Sequence, residues 1–203
     1  MQPRLSLLIL LISTLLVPLA GSLHAQKDPV DVRNVKFNKN AGNWKDTLIE
    51  VELVANGNPN PDAPNPKYVD NIGVTLTIGY AHPNKDGEFI FHSSSVVITT
   101  LEVAKSRKIG FWLPYDIVER DNVAKEPKFW YVDVEIDGSP IAPTGANIRA
   151  RASSDLQNPT ALNSFQNKAS DATEGVLLPG YLSGNGYIER GKDRPAFIRK
   201  EEN

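Results

Sequence analysis

The sequence predicts a mainly β protein: a two-sheet sandwich of seven to eight short strands, followed by a C-terminal extension with one short helix. Three observations carry this. Successive segments of five to nine residues alternate apolar and polar positions, the period of a half-buried strand. Turn signals rich in Gly, Pro, Asn and Asp separate them at regular spacing. After residue 152 the alternation stops, and a helical spacing and then a charged tail replace it.

The chain opens with Arg4, an apolar run from Leu5 to Leu19 broken at Pro18, and the small residues Gly21, Ser22 and Ala25. One positive charge, a short apolar block and a small-residue exit describe a secretory signal peptide over residues 1–25. Cleavage after Ala25 leaves a mature chain starting at Gln26, destined for the periplasm, outer envelope or cell surface and with no stable membrane span. The alternative is an uncleaved anchor, since Leu5 to Leu23 approaches the length of a span. Pro18 and the Gly-Ser pair disfavour a continuous helix there.

Val30, Val32, Val35 and Phe37 make the first strand, and the slip in their alternation predicts a bulge near Arg33–Asn34. Ile49, Val51, Leu53 and Ala55 share one face of the second, with Glu50 and Glu52 on the other. Residues 56–67 carry Pro59, Pro61, Pro64 and Pro66 and belong in an extended loop. Val74, Leu76, Ile78 and Tyr80 then face one way, and Gly73, Thr75, Thr77 and Gly79 the other. A turn at residues 82–87 leads to Phe89, Phe91 and a β-branched run to Val103. Ile109, Phe111 and Leu113 give another strand, and one helical turn is expected at Asp116–Arg120. Trp130, Val132, Val134 and Ile136 form the next strand, which Asp137–Gly138 closes, and a return strand is expected around Ile148–Ala152. The sandwich therefore covers residues 26–152.

Residues 153–203 read as an extension laid against the sandwich. Asn158–Pro159 is an N-cap followed by a first-turn proline, and Leu162, Phe165 and Ala169 recur on one helical face.

Composition excludes several function classes. With no cysteine, the fold has no disulfide, thiolate metal site or cysteine nucleophile. A net charge of −2 supplies no basic field for nucleic acid. His82 and His92 flank one hairpin beside Asp86 and Glu88, without a metal-ligand spacing signature. No Gly-x-Ser-x-Gly motif surrounds a serine. The pairs Glu50/Glu52 and Asp133/Glu135 each project from one strand face, about 7 Å apart by strand geometry. A solvated outer face accounts for both pairs. The sequence thus assigns no catalytic residue, no cofactor and no metal.

Three aromatics remain. Trp112, Phe129 and Tyr131 lie out of phase with the apolar positions of their strands, so they form the candidate interaction surface. Exposed, they suit a protein partner or stacking on a glycan. Covered by the extension, they pair with Phe165, Leu178 or Tyr181.

Val32-Arg33-Asn34-Val35-Lys36-Phe37, Asn43-Trp44-Lys45 and Phe129-Trp130-Tyr131-Val132-Asp133-Val134 together resemble a group of secreted immunoglobulin-like proteins. These are encoded with type IV pilus-like assembly genes in Akkermansia-like bacteria. The resemblance implies an immunoglobulin-like β-sandwich, a place in the outer envelope or on the surface, and a link to a type IV pilus-like system; the leading expectation is a non-enzymatic protein that binds a protein partner there, and the alternative is a carbohydrate-binding module using exposed aromatics. It implies no catalytic residue. The chain departs from pilins in lacking their N-terminal polymerisation helix, which favours an accessory role.

Overall fold

The computed structural model describes residues 27–41, 46–123, 126–143, 147–171, 176–182 and 194–198. The expected signal segment, residues 1–25, and the Asn43-Trp44-Lys45 motif lie outside these residues. Two antiparallel sheets face each other. One has the order β1-β2-β5-β8, built from β1 (Val30–Ala41), β2 (Asp46–Ala55), β5 (Ser106–Leu113) and β8 (Leu178–Pro179). The other has the order β7-β6-β3-β4-β9, from β7 (Ser139–Pro140), β6 (Phe129–Ile136), β3 (Tyr68–Ala81), β4 (Phe89–Glu102) and β9 (Phe197–Ile198). With β1-β2-β5 in one sheet and β7-β6-β3 in the other, the connections follow the immunoglobulin arrangement, and β4 lies beside β3.

The inward phases make the core. Ile49, Val51 and Leu53 on β2 and Ile109, Phe111 and Leu113 on β5 face Val74, Leu76 and Ile78 on β3 and Val132 and Val134 on β6, all buried. Trp130 sits at the margin, packed on Phe37 with ring centroids 6.0 Å apart. The β1–β2 register shifts between Val32 and Asn34, where the broken alternation places a bulge. Residues 56–67 form the proline-spaced loop from one sheet to the other, with Asn58 and Asn60 side chains accepting from backbone N–H groups two residues on. Asp137 and Gly138 both take positive φ, 50° and 75°, as a two-residue hairpin turn between β6 and β7 requires.

Among the described residues there are three α-helices, α1 (Tyr115–Arg120), α2 (Ile148–Arg151) and α3 (Pro159–Lys168), and three single 3-10 turns at Ser154–Leu156, Ala169–Asp171 and Gly180–Leu182. The Asp46 carboxylate accepts from the Tyr115 N–H at 2.8 Å and holds the start of α1. Asn158 caps α3 by accepting from the Thr160 N–H, with Pro159 in the first turn. The expected return strand at Ile148–Ala152 is instead α2. Its buried residues, Ile148 and Arg151, are three apart and so share one helical face. Only Ala152 keeps a strand-like contact, a single bridge to Tyr131.

The extension does more than lie on a finished sandwich. β8 lengthens the first sheet beside β5, and β9 lengthens the second beside β4. Among the described residues, no helix is long and apolar enough to cross a membrane.

Candidate functional site

The three candidate aromatics do not share a surface. Phe111 points into the core, so Trp112, next to it on β5, lies on the outer face of the first sheet. Phe129 and Tyr131 lie on the outer face of the second sheet, on the opposite side of the sandwich. Nor is that second face open. Tyr131 is 3% exposed, within a cluster of Ile148, Ala152, Leu156, Leu162 and Phe165. The Phe129 ring is half-buried, 4.9 Å from Phe89 and 6.1 Å from Phe165. Trp112 is half-buried and its indole Nε1 is enclosed. The outward phase was legible, but α2 and α3 turn the exposed reading of Phe129 and Tyr131 into a second apolar core. Of the three expected covering residues, Phe165 takes that role for Phe129 and Tyr131, and Leu178 pairs with Trp112 in the β5–β8 ladder.

Glycine makes room for this second core. A Cβ on Gly79 would stand 2.8 Å from the Phe91 ring, which lies across the bare backbone and meets Phe165 at 5.7 Å.

Arg151, which the sequence did not single out, organises the junction. It is 1% exposed. Its guanidinium donates to the Val132 carbonyl at 3.0 Å, the Ile141 carbonyl at 2.8 Å, the Tyr131 hydroxyl at 3.3 Å and the Asp133 carboxylate at 3.1 Å. Burial pushes the Tyr131 phenol up to about 12, so it stays protonated. The available signal was a pair of arginines, Arg149 and Arg151, inside an otherwise small and apolar stretch.

The histidines separate. His92 pairs with Ile78 in the β3–β4 ladder and is wholly buried. Its Nε2 lies 3.1 Å from Asp121, while Nδ1 has no hydrogen-bond partner. Burial lowers the imidazole pKa against the opposing pull of Asp121. Arg120, bonding Asp121 through two nitrogens, holds that carboxyl below its usual range. His82 accepts from the Asn84 N–H in the turn. No group of three metal-ligating side chains gathers among the described residues.

Three members of the two carboxylate pairs are likewise engaged. Asp133 binds Arg151 and accepts from the Val134 N–H. The Glu135 side chain lies over Gly73, in the space a Cβ would take. Glu50 accepts from Asn38 at 2.7 Å.

Among the described residues, what remains largely unpaired is an edge. β4 pairs along its length with β3 on one side. On the other side, among the described residues, only Val97 and Ile98 have a strand partner, in β9. The backbone from Phe89 to Val96 thus has no ladder partner on that side among the described residues, although β8 and the helical turn Ala169–Asp171 lie against β4; an unpaired edge is the kind of template that receives an added strand. Two of the most exposed large apolar side chains, Leu182 at 56% and Ile198 at 40%, come from the segments that finish the two sheets.

No protein-family model matches the chain, and no curated protein does. A search of solved structures does find a likeness. The fold is shared with a protein from Akkermansia muciniphila. The two chains superpose with a TM-score of 0.65 over 84% of this chain and 93% of the other, at 15% identity. At that identity the likeness shows a common fold: a β-sandwich with a small helical extension.

Proposed function

We propose that this chain is a non-enzymatic protein of the cell envelope or surface that binds a protein partner of a pilus-like system along the largely unpaired β4 edge. The observation that carries the reading is that edge. A fourteen-residue strand has a two-residue partner on its outer side among the described residues. Backbone groups from Phe89 to Val96 are placed to pair with a strand from another chain.

Other observations support it. The sequence resemblance points to an exported accessory protein beside pilus-type machinery, and the fold likeness to an Akkermansia protein agrees in architecture. Asp133, Glu135 and His92, residues of the kinds a hydrolase would use, each lie in structural contacts. A stacking platform for glycans needs an uncovered aromatic strip, whereas Tyr131 is buried and Phe129 half-buried.

Envelope fractionation tests the reading. Ser95 is exposed at mid-edge, so Ser95→Lys adds the kind of charge that blunts an edge without touching the core. Wild-type protein should sediment with the filament fraction. The variant should be released from it with a thermal midpoint no lower than that of Thr75→Ala, which loses the same Thr75–Ser95 hydrogen bond. Equal sedimentation of both would overturn the edge as the binding site.

A further inference from the structure

We propose that β9 is an exchangeable strand: the Phe197–Ile198 segment of one copy docks on the β4 edge of a second copy, in the register it has within one chain. This goes beyond the filament contact, because both participants are copies of this protein.

The seat is small and portable. β9 makes two ladder pairs, Val97 with Ile198 and Ile98 with Phe197, and the Thr99 N–H donates to the Ala196 carbonyl at 2.8 Å. One side chain anchors it inward. The half-buried Phe197 packs on the core and meets Tyr181 at 5.4 Å between centroids. Each of these contacts forms identically when the strand comes from another copy. Exchange therefore sacrifices none of them, and concentration and chain entropy set the balance.

The connection is long enough. Residues 183–193 join Leu182 to Arg194, and a chain of that length spans roughly 40 Å when extended. Five strands side by side cover only about 19 Å at the usual spacing. A strand can thus reach a neighbouring copy while Tyr181 keeps its own place. Gly184, Gly186 and Gly191 keep that connection free of bulky side chains at three positions.

The absence of cysteine makes the test clean. Paired residues of an antiparallel ladder have Cα atoms about 4.5–5.5 Å apart, within reach of a disulfide. Purified full-length Val97→Cys and Ile198→Cys chains would be mixed at high concentration, left to equilibrate and oxidised. The expected result is a disulfide-linked heterodimer joining position 97 of one chain to position 198 of the other, identified by peptide mass. A parallel sample carries both substitutions in one chain. If that double variant closes on itself as a monomer and the mixture yields no 97–198 heterodimer, β9 stays in its own chain and the proposal is wrong. If neither sample gives the 97–198 bond, the register itself is absent and the proposal is equally overturned. The purified chain alone is read, so this outcome is independent of whether a filament partner binds.

Discussion

The Arg151 guanidinium lies 3.1 Å from the Asp133 carboxylate, joining the short helix α2 to the outer face of β6. Arg151 is buried while Asp133 keeps 44% of its side-chain exposure, so the pair is lopsided. The arginine's burial is supported mainly by the Val132 and Ile141 carbonyls. Arg151→Met keeps the bulk of the stem and removes every donor. It should cost about 3 kcal/mol, since hydrogen bonds from a charged donor contribute more than neutral ones and two carbonyls lose their partner. Urea unfolding measures it. A loss under about 0.5 kcal/mol would show that α2 docks by its apolar side alone.

Tyr131 gives the sharpest contrast between a binding surface and a covered one. It is buried against α2 and α3, with its hydroxyl accepting from Arg151. Tyr131→Ala should therefore cost about 3–5 kcal/mol, the range for emptying an aromatic site. An unchanged thermal midpoint would mean that the extension does not cover this face.

Much of the fold was legible because it follows from one period. The phases of Val74, Leu76 and Ile78 and of Val132 and Val134 decide which face is buried, and alternation reports phase directly. The bulge at Val32–Asn34 and the Asp137–Gly138 turn were also readable, since each leaves a local mark. The fate of Phe129 and Tyr131 was not. Their outward phase is correct, but what lies above an outer face depends on where residues thirty positions later return. Arg151 was hidden for a related reason: four residues of helix carry too little periodicity to show, and its partners lie on another strand. The β8 and β9 pairings were equally invisible, because a two-residue strand has no alternation to read.

The core phase itself is testable at adjacent residues. Leu76 is fully buried, whereas Thr75 faces outward with its hydroxyl 2.8 Å from Ser95. Leu76→Ala should cost about 2–5 kcal/mol through the cavity it leaves. Thr75→Ala should cost under about 1 kcal/mol, the worth of an exposed neutral hydrogen bond. Equal losses would invert the assigned face of β3.

His92 should give the protein a pH dependence. Burial lowers its pKa, with Asp121 opposing and Arg120 assisting, so the folded state holds it neutral below the value of an unfolded histidine. Protons then bind the unfolded chain first as pH falls. Its contribution is complete above about 6.5 and is lost as pH drops through that value toward the lowered folded one. The Asp121 carboxyl, also lowered, loses its contribution only below the ordinary aspartate value of 3.8. His92→Gln should flatten the fall in thermal midpoint between about pH 7 and pH 5 and leave the more acidic fall in place. A wild-type midpoint that is level across that interval would contradict the assignment.

The most direct test of partner binding along β4 places a photo-reactive amino acid at Ser95 in the full-length protein and irradiates the native envelope. The account predicts one dominant adduct, whose peptides map to an extended segment of a filament component. Adducts confined to lipid or glycan, or none at all while the protein remains folded, would contradict it.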